Sequence, residues 1–329
     1  MSNLDARADL VVCQEEVSNA TQVTPVEVLT PREVPLGGLR AMPVRRTLPQ
    51  RQRSLIGAWC FADHYGPDQV SETGGMTVAP HPHTGLQTVS WLFAGEIEHR
   101  DSIGSHAMVR PGELNLMTSG KGIAHSEVST PSTTVLHGMQ LWVALPDHAR
   151  HTAPAFAHYA PEPVEIAGGR VSVFLGSTAG QTSPVATFTP LLGAEVVISA
   201  SATVELEVDP TFEHGAILDQ GSVDFEGTVL ARAELGYVPP GRSVVRLRNP
   251  GDDDARIVLL GGTPFGEQIL MWWNFVGRTD DEIRAAREQW QSEVASPGRA
   301  DARFGDVPGY VGDWIPAPTV PAVPLRPRG

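Results

Sequence analysis

Only two cysteines, Cys13 and Cys60, occur in 329 residues. Two thiols cannot build a disulfide framework for a chain of this length, so a reducing cytosol is the simplest home, with a single bridge left open. Positive charge is also scarce. The 24 Lys and Arg stand against 38 Asp and Glu, and the resulting net charge of −14 repels phosphate backbones and anionic lipid at long range. Direct nucleic-acid binding is therefore not expected. No apolar run reaches the roughly 18 residues needed to span a bilayer. The first segment, with Asp5, Asp9, Glu15 and Glu16, lacks the basic start and apolar stretch of a secretory signal. A soluble, cytoplasmic protein without a membrane partner is expected. Nor is there a G-x-G-x-x-G turn after a strand, a Walker loop or a G-x-S-x-G elbow; Ser119-Gly120-Lys121-Gly122 reads as a turn leading to His125, not as a phosphate cradle.

What is present is turn chemistry. With 33 Gly, 28 Pro and only 19% charged residues, the composition favours many turns, few surface helices and an all-β class. The length exceeds what one core usually organises, and two units of roughly 130 to 150 residues are expected. The expected order is a flexible N-terminus over 1–24, a first barrel over 25–150, a Pro-rich linker over 151–170 and a second barrel over 171–296. A Pro-rich tail over 297–329 then lies extended over the body. Within the second unit Thr279 caps a helix over 280–295, Glu282 completes a capping box, and Ile283, Ala286, Trp290 and Val294 recur at helical spacing. Gln87 to Phe93 alternates as a strand, with Val89, Trp91 and Phe93 on the side assigned to the core; extended backward, that parity takes in Gln87, His83 and His81. The pair Trp272-Trp273 is expected in the core or between domains.

Seven of the eleven histidines fall between His64 and His137. The informative ones form two pairs, His81-x-His83 and His125-x-Glu127. Residues two apart on an extended chain share a face, so each pair projects its side chains together. The pairs lie 125 − 81 = 44 residues apart, enough for an intervening hairpin to return to the same wall and close a mixed nitrogen and oxygen sphere around one divalent transition metal. Burying four such groups without a metal costs several kcal/mol unless each finds a hydrogen bond. By ligand type alone the set suits Fe, Mn, Co, Ni, Cu or Zn. An amide oxygen, as at Gln87, is a weaker, uncharged metal donor than the Glu127 carboxylate. Glu98, His99 and Asp101 either form a solvated hairpin face or stand beside the ligands. His64 is expected to bond backbone near Gly66, and His214 to be a surface residue beside Gly215.

These residues carry a resemblance. Leu48-Pro49, Gly57-Ala58-Trp59, the run Phe61 to Pro67, His81-Pro82-His83-Thr84-Gly85-Leu86-Gln87-Thr88-Val89, Gly95 to Ser102 and Met117 to Glu127 resemble the pirins, members of the cupin superfamily of double-stranded β-helix proteins. The match is dense over 40–145, and Pro264-Phe265-Gly266-Glu267 with Trp272 to Gly277 resembles the end of bacterial pirin-like chains. Where pirins often read H-P-H-R-G-F-E-T, this chain has Thr84, Leu86 and Gln87, which changes what lines the mouth.

The resemblance implies an all-β fold of two tandem cupin, jelly-roll-like barrels with a short C-terminal helix. It implies one metal, usually iron as Fe(II), held in the first barrel by the positions matching His81, His83, His125 and Glu127, and a second barrel without metal. It further implies a dioxygenase like the quercetin 2,3-dioxygenase activity attributed to some pirins, taking a small aromatic or enolic substrate and O₂, with Glu127 accepting the substrate hydroxyl proton. The alternative is a non-enzymatic iron-binding redox sensor or co-regulator acting through a protein partner.

Overall fold

A chain that turns every few residues cannot pair its backbone groups locally, so it pairs them between strands. The structure, a computed structural model, describes residues 11–13, 25–36, 42–298 and 300–325, with backbone alone at 11–13 and 36. It is mostly β, and the strands close two barrels, each from a seven-stranded and a four-stranded sheet.

In the first barrel the large sheet runs, in spatial order, Ala155–Tyr159, Leu114–Thr118, Leu86–Ala94, Val135–Ala144, Trp59–Gln69, Met42–Leu48 and Arg32–Leu36. Facing it are Thr77–His83, Ile123–Ser129, Ile97–Asp101 and His106–Val109. In the second, Val164–Ile166, Gly169–Leu175, Leu191–Ile198, Ala255–Gly262, Glu213–Gln220, Leu235–Val238 and Glu27–Leu29 face a sheet of Thr203–Glu207, Val244–Arg248, Val223–Phe225 and Thr228–Leu230.

The chain does not divide at the expected boundaries. Glu27–Leu29, expected in the first barrel, pairs with Leu235–Val238 at the edge of the second. Ala155–Tyr159, from the expected linker, pairs with Leu114–Thr118 at the edge of the first. Each large sheet offers an edge of unpaired amides and carbonyls, and a passing segment satisfies them. Val11–Cys13 is likewise a strand, paired with Ile269–Trp272; the rest of the expected flexible N-terminus lies outside the described residues.

The barrels meet along their large sheets. Trp91 donates from Nε1 to Glu195 Oε2 at 2.7 Å and packs on Phe174 with ring centroids 4.7 Å apart. Trp59 Nε1 reaches the carbonyls of Leu192 and Gly261, and Glu213 accepts from Gly57 N and the Tyr237 hydroxyl. Register puts Val89, Leu114, Leu116, Met139 and Leu141 on the same face as Trp91. The apolar side of Gln87–Phe93 therefore faces the other barrel, and its polar side, Thr88 and Ser90, faces into its own. Both faces of this strand are buried, so alternation alone could not tell which one was the interior. The backward extrapolation also fails, because Thr84–Gly85 turns the chain into the opposite sheet.

The C-terminal helix spans Asp280–Ala295, with the Thr279 hydroxyl accepting from Glu282 N. It buries Ile283, Ala286 and Trp290 against Trp272, Trp273, Phe275 and Phe304. The tail runs back across it: Trp290 Nε1 donates to Ile315 O at 2.8 Å, and Ile315 N to Pro80 O at 2.9 Å. Among the described residues no helix is long and apolar enough to cross a membrane.

Candidate metal centre

Thr77–His83 pairs antiparallel with Ile123–Ser129, setting His125 opposite His81, and Ile97–Asp101 pairs on the other side, setting Asp101 opposite His125 and His99 opposite Glu127. Directly opposed residues share a face. These five side chains and that of His83 point into the first barrel, and all are buried.

The imidazoles of His81, His83 and His125 form one group in which a ligand atom from each lies within 4.8 Å of the others. His83 Nε2 is 3.1 Å from His125 Nε2. Their tautomers are set from outside. His81 Nδ1 lies 2.8 Å from Ala79 O and His83 Nδ1 lies 3.2 Å from Asn274 O, so each Nδ1 carries the proton and each Nε2 keeps its lone pair. His81 Nε2 is buried with no hydrogen-bond partner among the described residues. Burial pushes the His81 imidazolium pKa down to about 3, and burial with the neighbouring histidines holds His83 and His125 well below the usual histidine range. Three neutral imidazoles with converging lone pairs are a poor arrangement for themselves and a good one for a divalent transition metal. On that chemistry the residues fit the group.

Glu127 is not in this trio; it forms a second, overlapping group with His125 and His99. Ser90 Oγ lies 3.2 Å from Glu127 Oε1 and 3.0 Å from Gln140 Oε1, with one proton to give. Gln87 donates to Thr118 Oγ1 at 2.9 Å, and its register with Val143 puts it on the side facing the second barrel.

Trp142 stands edge-on to His83 at 5.2 Å and stacks on Phe61 at 4.1 Å. Tyr65 Oη, Trp142 Nε1 and Gln140 Nε2 are buried donors without a partner among the described residues. Sequence reasoning missed Tyr65, Ser90, Gln140 and Trp142. It left His99 and Asp101 undecided, and both are buried beside the trio. Their H-x-D spacing is the same two-residue signal as H-x-E, and it could have been read that way.

Two further histidines differ from expectation. His214 is fully buried in the second barrel, with neither ring nitrogen partnered among the described residues, and burial lowers its pKa to about 4. It faces inward because Gly215, its neighbour, is turned to Ile56 of the first barrel. His64 meets Asp219 of the second barrel, Nε2 to Oδ1 at 2.6 Å, instead of backbone near Gly66.

His64, His137 and Asp219 also form a group of metal-binding residue types. Here the chemistry does not fit a metal. Arg45 Nη1 lies 3.2 Å from His64 Nδ1, so that nitrogen accepts and Nε2 carries the proton given to Asp219. Arg256 Nε donates to Asp219 Oδ2 at 2.7 Å. Burial works against the carboxylate, yet His137, His64 and Arg256 hold Asp219 far below the usual range. The cluster is an ionic latch between the barrels.

Comparison with known proteins agrees with this architecture. The Pirin family model matches residues 41–143, and the model of the Pirin C-terminal cupin domain matches residues 193–295. The chain is 41% identical, over 98% of each chain, to a Pseudomonas aeruginosa protein named "Putative quercetin 2,3-dioxygenase PA1205". It is 35% identical to a pirin-like protein of Caulobacter vibrioides, covering 76% of this chain and 88% of the relative. A solved structure of quercetin 2,3-dioxygenase from Acinetobacter baumannii superposes with a TM-score of 0.84 at 37% identity, over 92% of this chain and 98% of that one.

Proposed function

This chain belongs to the pirin family, and we propose that it is a metal-dependent dioxygenase of quercetin 2,3-dioxygenase type, acting on a flavonol or a similar enol or phenol with O₂. The observation that carries the proposal is the convergence of His81, His83 and His125 lone pairs inside the first barrel, beside a buried carboxylate. The names borne by the Pseudomonas and Acinetobacter relatives support the choice of substrate class.

In this reading His81, His83, His125 and Glu127 are the ligands and Fe(II) is the resident ion. A divalent cation there supplies Lewis acidity, lowering the pKa of a bound enol or phenol. Glu127 accepts the substrate hydroxyl proton, and the Ser90 hydroxyl orients its carboxylate for that transfer. Tyr65 Oη, Gln140 Nε2 and Trp142 Nε1 offer hydrogen bonds to substrate oxygens, while the Trp142 and Phe61 rings exclude water. We place the protein in the cytoplasm, as two cysteines in 329 residues and a buried Cys60 suit a reducing compartment.

The test is metal analysis of protein purified without chelator, followed by oxygen uptake over a panel of flavonols and catechols. Iron together with flavonol-dependent uptake is the expected result. A full complement of metal with no uptake on any member of the panel contradicts the reading.

A further inference from the structure

His125 differs from the other two histidines of the trio in what holds its outer nitrogen. His81 and His83 each rest Nδ1 on a backbone carbonyl, whereas His125 Nδ1 lies 3.4 Å from Nδ1 of another histidine, His99. Two ring nitrogens can bond only if one is protonated and the other is not. The choice is settled one residue further out. His99 Nε2 lies 3.3 Å from Asp101 Oδ2, and a carboxylate only accepts, so His99 carries its proton on Nε2. His99 Nδ1 is then the acceptor, His125 Nδ1 the donor, and His125 Nε2 is left with the lone pair that faces His83.

We propose that Asp101 and His99 are positioning residues that fix the tautomer of His125 through a directed chain, Asp101 to His99 to His125. This rests on the reading that the trio holds a metal. The chain is rigid at both ends. Asp101 Oδ1 accepts from Ile103 N at 3.1 Å and from Ser105 N at 2.8 Å, which fixes the carboxylate on its turn. Phe156 stacks on the His99 ring with centroids 4.9 Å apart, and this Phe comes from Ala155–Tyr159, the strand added to the sheet edge from the expected linker. His99 and Asp101 are both buried, so water does not compete for these bonds.

Polarity makes the proposal testable by a change of one atom. In Asp101→Asn the amide oxygen must stay on the two backbone N–H groups, since an NH₂ turned there would oppose both. Its NH₂ then faces His99 Nε2, forces the His99 proton onto Nδ1, and so pushes the His125 proton onto Nε2, where the lone pair is needed. The turn keeps its bonds; the chain is reversed. His99→Leu removes the acceptor altogether. His99→Gln, which carries both an acceptor and a donor, preserves the direction.

The experiment titrates Co(II) into the full chain against a chromophoric chelator, with thermal unfolding of the metal-free proteins as the control for folding. Asp101→Asn and His99→Leu are expected to bind Co(II) about 10- to 100-fold more weakly than the parent, the range seen when partners behind a metal ligand are lost. His99→Gln is expected to recover most of that loss. Binding by Asp101→Asn equal to that of the parent, or equal loss in His99→Gln and His99→Leu, overturns the directed chain while leaving the metal site standing. Failure of the parent itself to bind Co(II) overturns the metal reading and the chain with it.

Discussion

His83 Nε2 and His125 Nε2 face each other at 3.1 Å inside the first barrel, and neither ring has a hydrogen to place between them if its outer nitrogen keeps its proton. A cation resolves that opposition. His83→Ala and His125→Ala are each expected to weaken divalent-metal binding by more than about 100-fold, since loss of a ligand exceeds loss of a group behind it. Isothermal titration with Fe(II) or Co(II) under anaerobic conditions checks this.

Neighbouring residues on one strand should separate chemistry from assembly. Ser90 faces Glu127, and Trp91 faces Glu195 of the other barrel. Ser90→Ala is expected to slow turnover roughly fivefold for a lost hydrogen bond of about 1 kcal/mol, with little change in urea stability. Trp91→Phe leaves Glu195 without its indole donor and should cost about 1 to 3 kcal/mol of stability. Its metal affinity should stay at the parent value. Urea unfolding and metal titration on both variants distinguish the two faces.

Gly85 joins the histidine-bearing strand to the next at φ +70°, and a Cβ there would lie 2.2 Å from Val276 O. The hairpin holding Val276 also supplies the Asn274 carbonyl that sets the His83 tautomer. Gly85→Ala should therefore lower stability by about 2 kcal/mol or more and weaken metal binding as well. Normal metal affinity in a destabilised Gly85→Ala would separate that hairpin from the site.

Acid should loosen the second barrel through His214. Its folded pKa is lowered to about 4, below the ordinary value near 6.5, so between those values the unfolded chain binds a proton that the folded chain does not. Stability contributed by this group is present above pH ~6.5 and falls as the pH drops towards ~4, by about 3 kcal/mol in all. His214→Leu removes that dependence. The difference in unfolding free energy between parent and variant, measured at several pH values across the window, should slope as stated; a flat difference contradicts it.

The H-x-H and H-x-E pairs were legible because the two-residue period of a strand fixes which side chains project together, whatever the tertiary structure does. The helix cap at Thr279 was legible for the same local reason. The parity of Gln87–Phe93 was not, because an alternating strand buried on both faces keeps its apolar side for the partner barrel. Long-range partners left no local mark either: His64 meets Asp219 155 residues away, and His83 meets Asn274 191 residues away. Nor could turn rhythm show that Glu27–Leu29 and Ala155–Tyr159 would close the edges of sheets on the far side of the expected boundaries.

The most direct test of the central claim is isotope labelling with quercetin under ¹⁸O₂, using protein loaded with Fe(II) and its His83→Ala variant as the control. Mass spectrometry of the organic product should show both atoms of one O₂ incorporated by the parent and no product from the variant. Fe(II)-loaded parent that leaves quercetin unchanged, or a product without the label, contradicts the dioxygenase assignment.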